Sequence, residues 1–176
     1  MSDFNFGIIS NLKEFSVFNK GYFLWIWHAD KIPPHIGCSI NGYYYSLKVN
    51  GKDEGILTSK VVSVIENKKI PSVFVQLKKD FSPSEIRSIF SNYQQAESTK
   101  STCLTPITEL FQCSDSIFQL SELLKYLKER GEIETFFGLN LTEDYRNLPN
   151  YSRDDITSRL LKLENVKSEK HTPSIG

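Results

Sequence analysis

The sequence predicts an α+β domain built on a mostly antiparallel sheet. Asn41-Gly42 joins two stretches of alternating character, the strongest short-range hairpin signal a sequence offers. Ser82-Pro83-Ser84-Glu85 reads as a helix start, with Ser82 as N-cap, Pro83 at the first helical position and Glu85 closing a capping box. The elements run strands, helix, strand, helices. That order suits strands joined by short turns with helices packed on them.

Residues 1–20 show no clear period. Gly21 to His28 is aromatic and β-prone and reads as a buried strand, with Trp25 and Trp27 on one core-facing side. Pro33-Pro34 breaks the chain. His35 to Ile40 and Tyr43 to Val49 then form the hairpin, and Asn50-Gly51 makes a second turn. After Thr58-Ser59, a natural N-cap pair, Val61, Val64 and Ile65 share one helical face. Ile70 to Leu77 returns to strand composition. The helix from Ser82 presents Ile86, Ile89, Phe90 and Tyr93 to the core, and Gln94 to Thr102 is a polar loop. Another helix is expected near Cys103, with Ile107, Leu110 and Phe111 inward. Asp115 or Ser116 is expected to cap a further one, with Ile117, Leu120, Leu124 and Leu127 on one face and Gly131 at its end. Ser152 to Leu163 fits a short amphipathic helix. A single domain is therefore expected over 1–165, with 166–176 a polar, flexible C-terminal tail.

Composition narrows the function classes. A chain of 176 residues and 20.2 kDa suits one domain and can bury a core without a disulfide or metal. Lys plus Arg and Asp plus Glu both number 21, so no net charge draws in a polyanion, and no nucleic-acid partner is expected. Three cysteines are too few and too odd for a secreted scaffold and point to a reducing compartment. The N-terminus lacks the pattern of a secretory signal, and the most apolar run, Tyr22 to Trp27, is too short for a transmembrane segment. The expectation is a soluble cytoplasmic protein. The three histidines and three cysteines show no paired ligand spacing, and there is no Gly-rich phosphate loop, so neither a metal nor another cofactor is expected. His28 reads as strand-end polarity and His171 as a solvated tail residue.

The hairpin carries most of the functional reading. A two-residue turn fixes its register. Ile40 faces Tyr43, Ser39 faces Tyr44, Cys38 faces Tyr45, Gly37 faces Ser46, Ile36 faces Leu47 and His35 faces Lys48. Alternation puts Ile36, Cys38, Ile40, Tyr43, Tyr45 and Leu47 on one face, expected to be core. His35, Gly37, Ser39, Tyr44, Ser46 and Lys48 fall on the other, expected to be polar. Gly37 leaves an empty place beside His35, and Ser46 lies diagonal to it, within side-chain reach. A hydroxyl there could hold one imidazole nitrogen and leave the other free. From the hairpin alone, the plainer reading of His35 is an exposed or satisfied strand histidine.

Among the cysteines, Cys38 reads as a small hydrophobe and Cys113 has no assigned chemistry. Cys103 lies where a polar loop turns into a helix, in Ser101-Thr102-Cys103-Leu104-Thr105-Pro106. Helix-start N–H groups stabilise a thiolate. Either Thr102 or Thr105 could be the N-cap, and with the latter Cys103 precedes the helix.

The order of these parts resembles the circularly permuted papain-like proteins, the branch of the NlpC clan that includes YiiX-like proteins and the lecithin retinol acyltransferase group. The resemblance rests on His35-Ile36-Gly37 opening a strand, a hairpin with a polar residue on its return, and Val73-Phe74-Val75-Gln76-Leu77-Lys78 leading to the capped helix. A loop then delivers Cys103 to a new helix. It covers about residues 20–112 and includes the aromatic strand Phe23 to Trp27. It implies a permuted papain-like fold, with Cys103 as nucleophile, His35 as base and Ser46 as the third, orienting residue. Tyr44 and Lys48 are expected to line the cleft. The third position holds Ser where the family usually has His, Glu or a similar group, and no Asn precedes the cysteine. The implied activity is that of a cysteine amidase, peptidase or acyltransferase, attacking an amide, ester or thioester carbonyl of a peptide, amide or lipid-ester substrate. The backbone N–H of Cys103 would contribute to an oxyanion hole. The competing readings are an inactive module on the same scaffold that binds a peptide, a lipid or a protein, and an unrelated α+β interaction protein in which the His–Cys order is accidental.

Overall fold

Residues 4–171 are described by a computed structural model. Its main sheet has seven strands, β2 (Ser10–Asn11), β3 (Tyr22–Trp27), β4 (His35–Ile40), β5 (Tyr43–Lys48), β6 (Gly51–Leu57), β7 (Ser72–Leu77) and β8 (Ile133–Leu139). Their spatial order is β2-β8-β7-β3-β4-β5-β6. Every neighbouring pair is antiparallel except β2 with β8. A separate antiparallel pair joins β1 (Phe4–Asn5) to β9 (Asn147–Leu148). The helices are α1 (Thr58–Asn67), α2 (Pro83–Ser91), α3 (Thr105–Leu110), α4 (Leu120–Glu129) and α5 (Arg153–His171), with a 3-10 turn over Phe15–Asn19. The fold class is α+β, as the sequence predicts.

Five strands escape the sequence reading: the two-residue β1, β2 and β9, too short to show a period, and the longer β6 and β8, for different reasons. β6 reads Gly-Lys-Asp-Glu-Gly, a charged stretch without apolar alternation. It is an edge strand, where charge keeps the unpaired ladder from recruiting another chain. β8 lies inside the sheet, but Phe136 and Phe137 pack on opposite faces, so apolar residues sit side by side and the alternation disappears.

The sheet buries both faces. On one, Ile36, Cys38, Ile40 and Leu47 pack with side chains of α2, α3 and α4. On the other, Phe23, Trp25, Tyr44 and Phe74 pack with Phe18 and with Val61, Val62 and Ile65 of α1. This corrects the expected polar face of the hairpin. The polar groups there are held inside: Trp25 donates from Nε1 to Ser39 Oγ at 2.9 Å. The place beside His35 that Gly37 was expected to leave empty is filled by the Tyr44 ring. A Cβ on Gly37 would lie 2.3 Å from Tyr44 Oη.

Helix boundaries follow their caps. Ser82 Oγ accepts from the Glu85 N–H, and the Glu85 carboxylate accepts from the Ser82 N–H, the expected capping box. α4 starts later than Asp115 or Ser116 would place it. The Glu122 carboxylate satisfies the N–H groups of Phe118 and Gln119, which makes Gln119 the N-cap. On α1 the buried set includes Val62, while Val64 faces outward, so the apolar face is rotated from the expected one. α5 is capped by Ser152 with Asp155 and continues past Leu163 into the expected tail as far as His171. Residues 172–176 and the side chain of His171 lie outside the described part. No helix among the described residues is long and apolar enough to cross a membrane.

Candidate functional site

From the Asn41-Gly42 turn the hairpin pairs as expected through Ile40–Tyr43, Ser39–Tyr44, Cys38–Tyr45 and Gly37–Ser46, and there it stops. The expected pairs Ile36–Leu47 and His35–Lys48 do not form. On the other side of β4 the ladder with β3 runs on to Trp27–His35. β5 therefore parts from β4 at the open end of the hairpin. The N–H of Ile36, which the next hydrogen-bonded pair would have used, instead favours the thiolate of Cys103 from close by.

Cys103 sits in the turn just before α3. Thr105 Oγ1 accepts from the Thr102 N–H at 2.9 Å, and Thr102 Oγ1 accepts from the Leu104 N–H at 3.2 Å. The helix begins only at Thr105, so Cys103 precedes it. The N–H groups of Ile36, of Cys103 itself and of Leu104 favour its thiolate. Burial outweighs them and pushes the thiol up to about 11. The other cysteines lie deeper. Cys38 is fully buried and pushed up to about 12. Cys113 is buried, and its Sγ donates to the Thr108 carbonyl at 3.5 Å.

His35 opens β4 and is half-buried. Its ring meets Trp27 edge-on, with centroids 6.1 Å apart. Burial lowers its imidazole to about 4. The Asp53 carboxylate opposes that shift, while Lys48 and His28 add to it. At neutral pH both groups are therefore uncharged. Among the described residues no hydrogen bond or ion pair joins His35 to Cys103, yet both line one cleft.

The other expected site residues divide. Ser46 is buried and donates to Asp53 Oδ2 at 3.0 Å. Lys48 lines the cleft and binds Asp53 Oδ1 at 2.8 Å. Tyr44 lines no part of the cleft: it is buried between Gly37 and Trp25, a correction forced by the missing side chain at Gly37. Asp53, which holds both Ser46 and Lys48, went unnoticed in the sequence. It faces Ser46 from β6, and only a strand returning from the Asn50-Gly51 turn would have revealed it.

The cleft measures about 830 Å³. The segment from Trp27 to Pro34 forms one wall, the open hairpin end and Thr102 to Leu104 a second. The third is α5, through Ile156, Leu160 and Leu163. His28, in a left-handed conformation with φ 52° where β3 ends, also faces this space. Burial, Lys31 and Arg159 lower its imidazole, with Asp30 opposing. No protein-family model, curated protein or solved structure matches the chain.

Proposed function

We propose that the cleft supports thiol chemistry on an acyl carbon, with Cys103 as nucleophile and His35 as base, as the papain-like resemblance implies. The observation that carries this reading is the open hairpin end. There the N–H of Ile36, the residue after His35, favours the thiolate of Cys103 inside a cleft that His35 also lines. The Cys103 thiol proton passes to the His35 imidazole as the sulfur attacks the carbonyl carbon. The developing oxyanion is offered the N–H groups that favour the thiolate. Collapse expels the amine, alcohol or thiol, which takes the proton from His35 and leaves a thioester on Cys103. Water, or an acceptor amine, then attacks with His35 removing its proton, and the thiol is restored.

Magnitudes constrain how this starts. A thiol near 11 and an imidazole near 4 place the separated ion pair roughly 10 kcal/mol above the neutral pair. The resting site thus holds a neutral thiol and a neutral imidazole in one cleft, and in this reading proton transfer accompanies attack instead of preceding it. The specificity for amide, ester or thioester belongs to the rest of the cleft.

A second reading, a binding module on the same scaffold, is favoured by the commitment of Ser46 to Asp53 and by the lack of a His35–Cys103 hydrogen bond. Intact-mass measurement separates the two. The protein is incubated with a panel of 4-nitrophenyl esters, acyl thioesters and acyl anilides. The thiol reading expects an acyl adduct on the peptide containing Cys103, absent in Cys103→Ala and formed roughly 10²–10⁴-fold more slowly in His35→Ala. An unmodified wild type across the panel, or equal acylation of Cys103→Ala, leaves the binding module as the reading.

A further inference from the structure

The charge of the cleft differs from that of the chain. Over the whole sequence cations and anions balance at 21 each. Along the cleft, Lys31, Lys48, Arg159 and Lys167 contribute side chains, and no Asp or Glu does. Two of these cations are engaged: Lys48 with Asp53, and Lys167 with Gln95 Oε1 at 2.8 Å. The side chains of Lys31 and Arg159 make no hydrogen bond or ion pair among the described residues. Both are exposed, and both act on the same neighbour, His28, whose imidazole they oppose charging, while the exposed Asp30 carboxylate beside Lys31 acts on it in the opposite sense without itself lining the cleft. Two cations that line one cleft without a hydrogen-bonded or ion-paired partner, where no carboxylate lines it, bias its field toward positive. Such an arrangement is stabilised by an anion.

Beyond these cations the surface is apolar. Ile156, Leu160 and Leu163 of α5 face Ile36 and Leu47 across the space. None of the lining residues belongs to the edge strands β2 or β6, where an extended chain could add along a whole strand. We propose that Lys31 and Arg159 form an anion subsite, and that the ligand of this cleft is an amphipathic small molecule with an apolar body ending in a carboxylate or phosphate. The proposal deepens the thiol reading by naming the charge its substrate carries, and it does not require the chemistry to occur.

Binding to the wild-type chain tests it with probes that hold no acyl bond for a thiol to cleave: decanoate, decyl phosphate, decanol and decyltrimethylammonium. Isothermal titration gives the affinities, with quenching of Trp27 in the cleft wall as a second readout. Both anions should bind about tenfold or more tighter than decanol, and the cation weakest of all. Lys31→Gln and Arg159→Gln, at exposed positions, should each cost about fivefold for the anions and leave decanol unchanged, which also shows that the variants are folded. Preference between decanoate and decyl phosphate identifies the head group. Equal affinity for decanoate and decanol, anion affinities indifferent to both variants, or no binding of any probe would overturn the proposal. Each of those outcomes leaves the acylation experiment to stand or fall by itself.

Discussion

The two ends of one hairpin behave differently. At the closed end Asn41 and Gly42, with φ values of 46° and 88°, form the two-residue turn and hold the register by local chemistry alone. At the open end the same two strands separate two pairs early, and the freed Ile36 N–H acts on a cysteine about 67 positions away in sequence. The closed end is determined by its own four residues. The open end is determined by whatever packs into it, and that is where the polar and reactive groups gather. A strand pair can thus carry a fixed geometry and a variable site within six residues of each other.

Three measurements would break or sharpen that contrast, beginning with the largest effect. Unfolded, His35 binds a proton below its ordinary 6.5, whereas folded it does so only below about 4. Between those values the unfolded chain holds more protons, so stability rises with pH and is lost as pH falls through the window. The contribution is as much as ~3 kcal/mol. Denaturant titration from pH 7 to 4 should show this slope in the wild type and a flatter one in His35→Gln; identical slopes would mean that the open end does not shield the imidazole.

Next in size is Gly37→Ala, at the last paired position. Its new Cβ would meet the buried Tyr44 ring at 2.3 to 2.7 Å. Overpacking of this kind costs about 2 kcal/mol. The penalty should largely vanish in a Tyr44→Leu background, read as a double-mutant cycle, and its survival there would locate the strain elsewhere.

The smallest effect belongs to the closed end. Gly42→Ala forces a side chain into left-handed backbone at a cost of about 1 kcal/mol. Because the turn is remote from Cys103, its midpoint in urea should drop while the rate of Cys103 acylation stays that of the wild type. A coupled loss of both would make the two ends one unit.

This contrast also explains what could be read in advance. The turn, the Gly37–Ser46 register and the Ser82 capping box depend on residues a few positions apart, and their chemistry is written locally. The early parting of the strands depends on a loop that arrives from beyond α2, and no local pattern encodes it. The second face of the hairpin looked polar because Ser39, Ser46 and Gly37 alternate there. Their polarity is satisfied internally, by Trp25 and Asp53, and their small volume makes room for Tyr44. His35, Cys103 and Lys48 were legible as cleft residues from residue type and order. Asp53 was not, since a charged edge strand gives a weak periodic signal; the helix over 152–163 was legible, but its place as a wall of the cleft depends on packing that no local pattern encodes.

The fit of Tyr44 over Gly37 has a consequence for lineage. A ring and an absent side chain that occupy one volume constrain each other's substitution: enlarging position 37 is tolerated only after position 44 shrinks. In any descendant of this chain the two positions should therefore drift as a compensated pair, glycine kept where the aromatic is kept and both released together. A search for distant relatives gains more from that paired pattern than from the cysteine and histidine, because an inactive branch would discard the reactive residues while its interior still had to be filled.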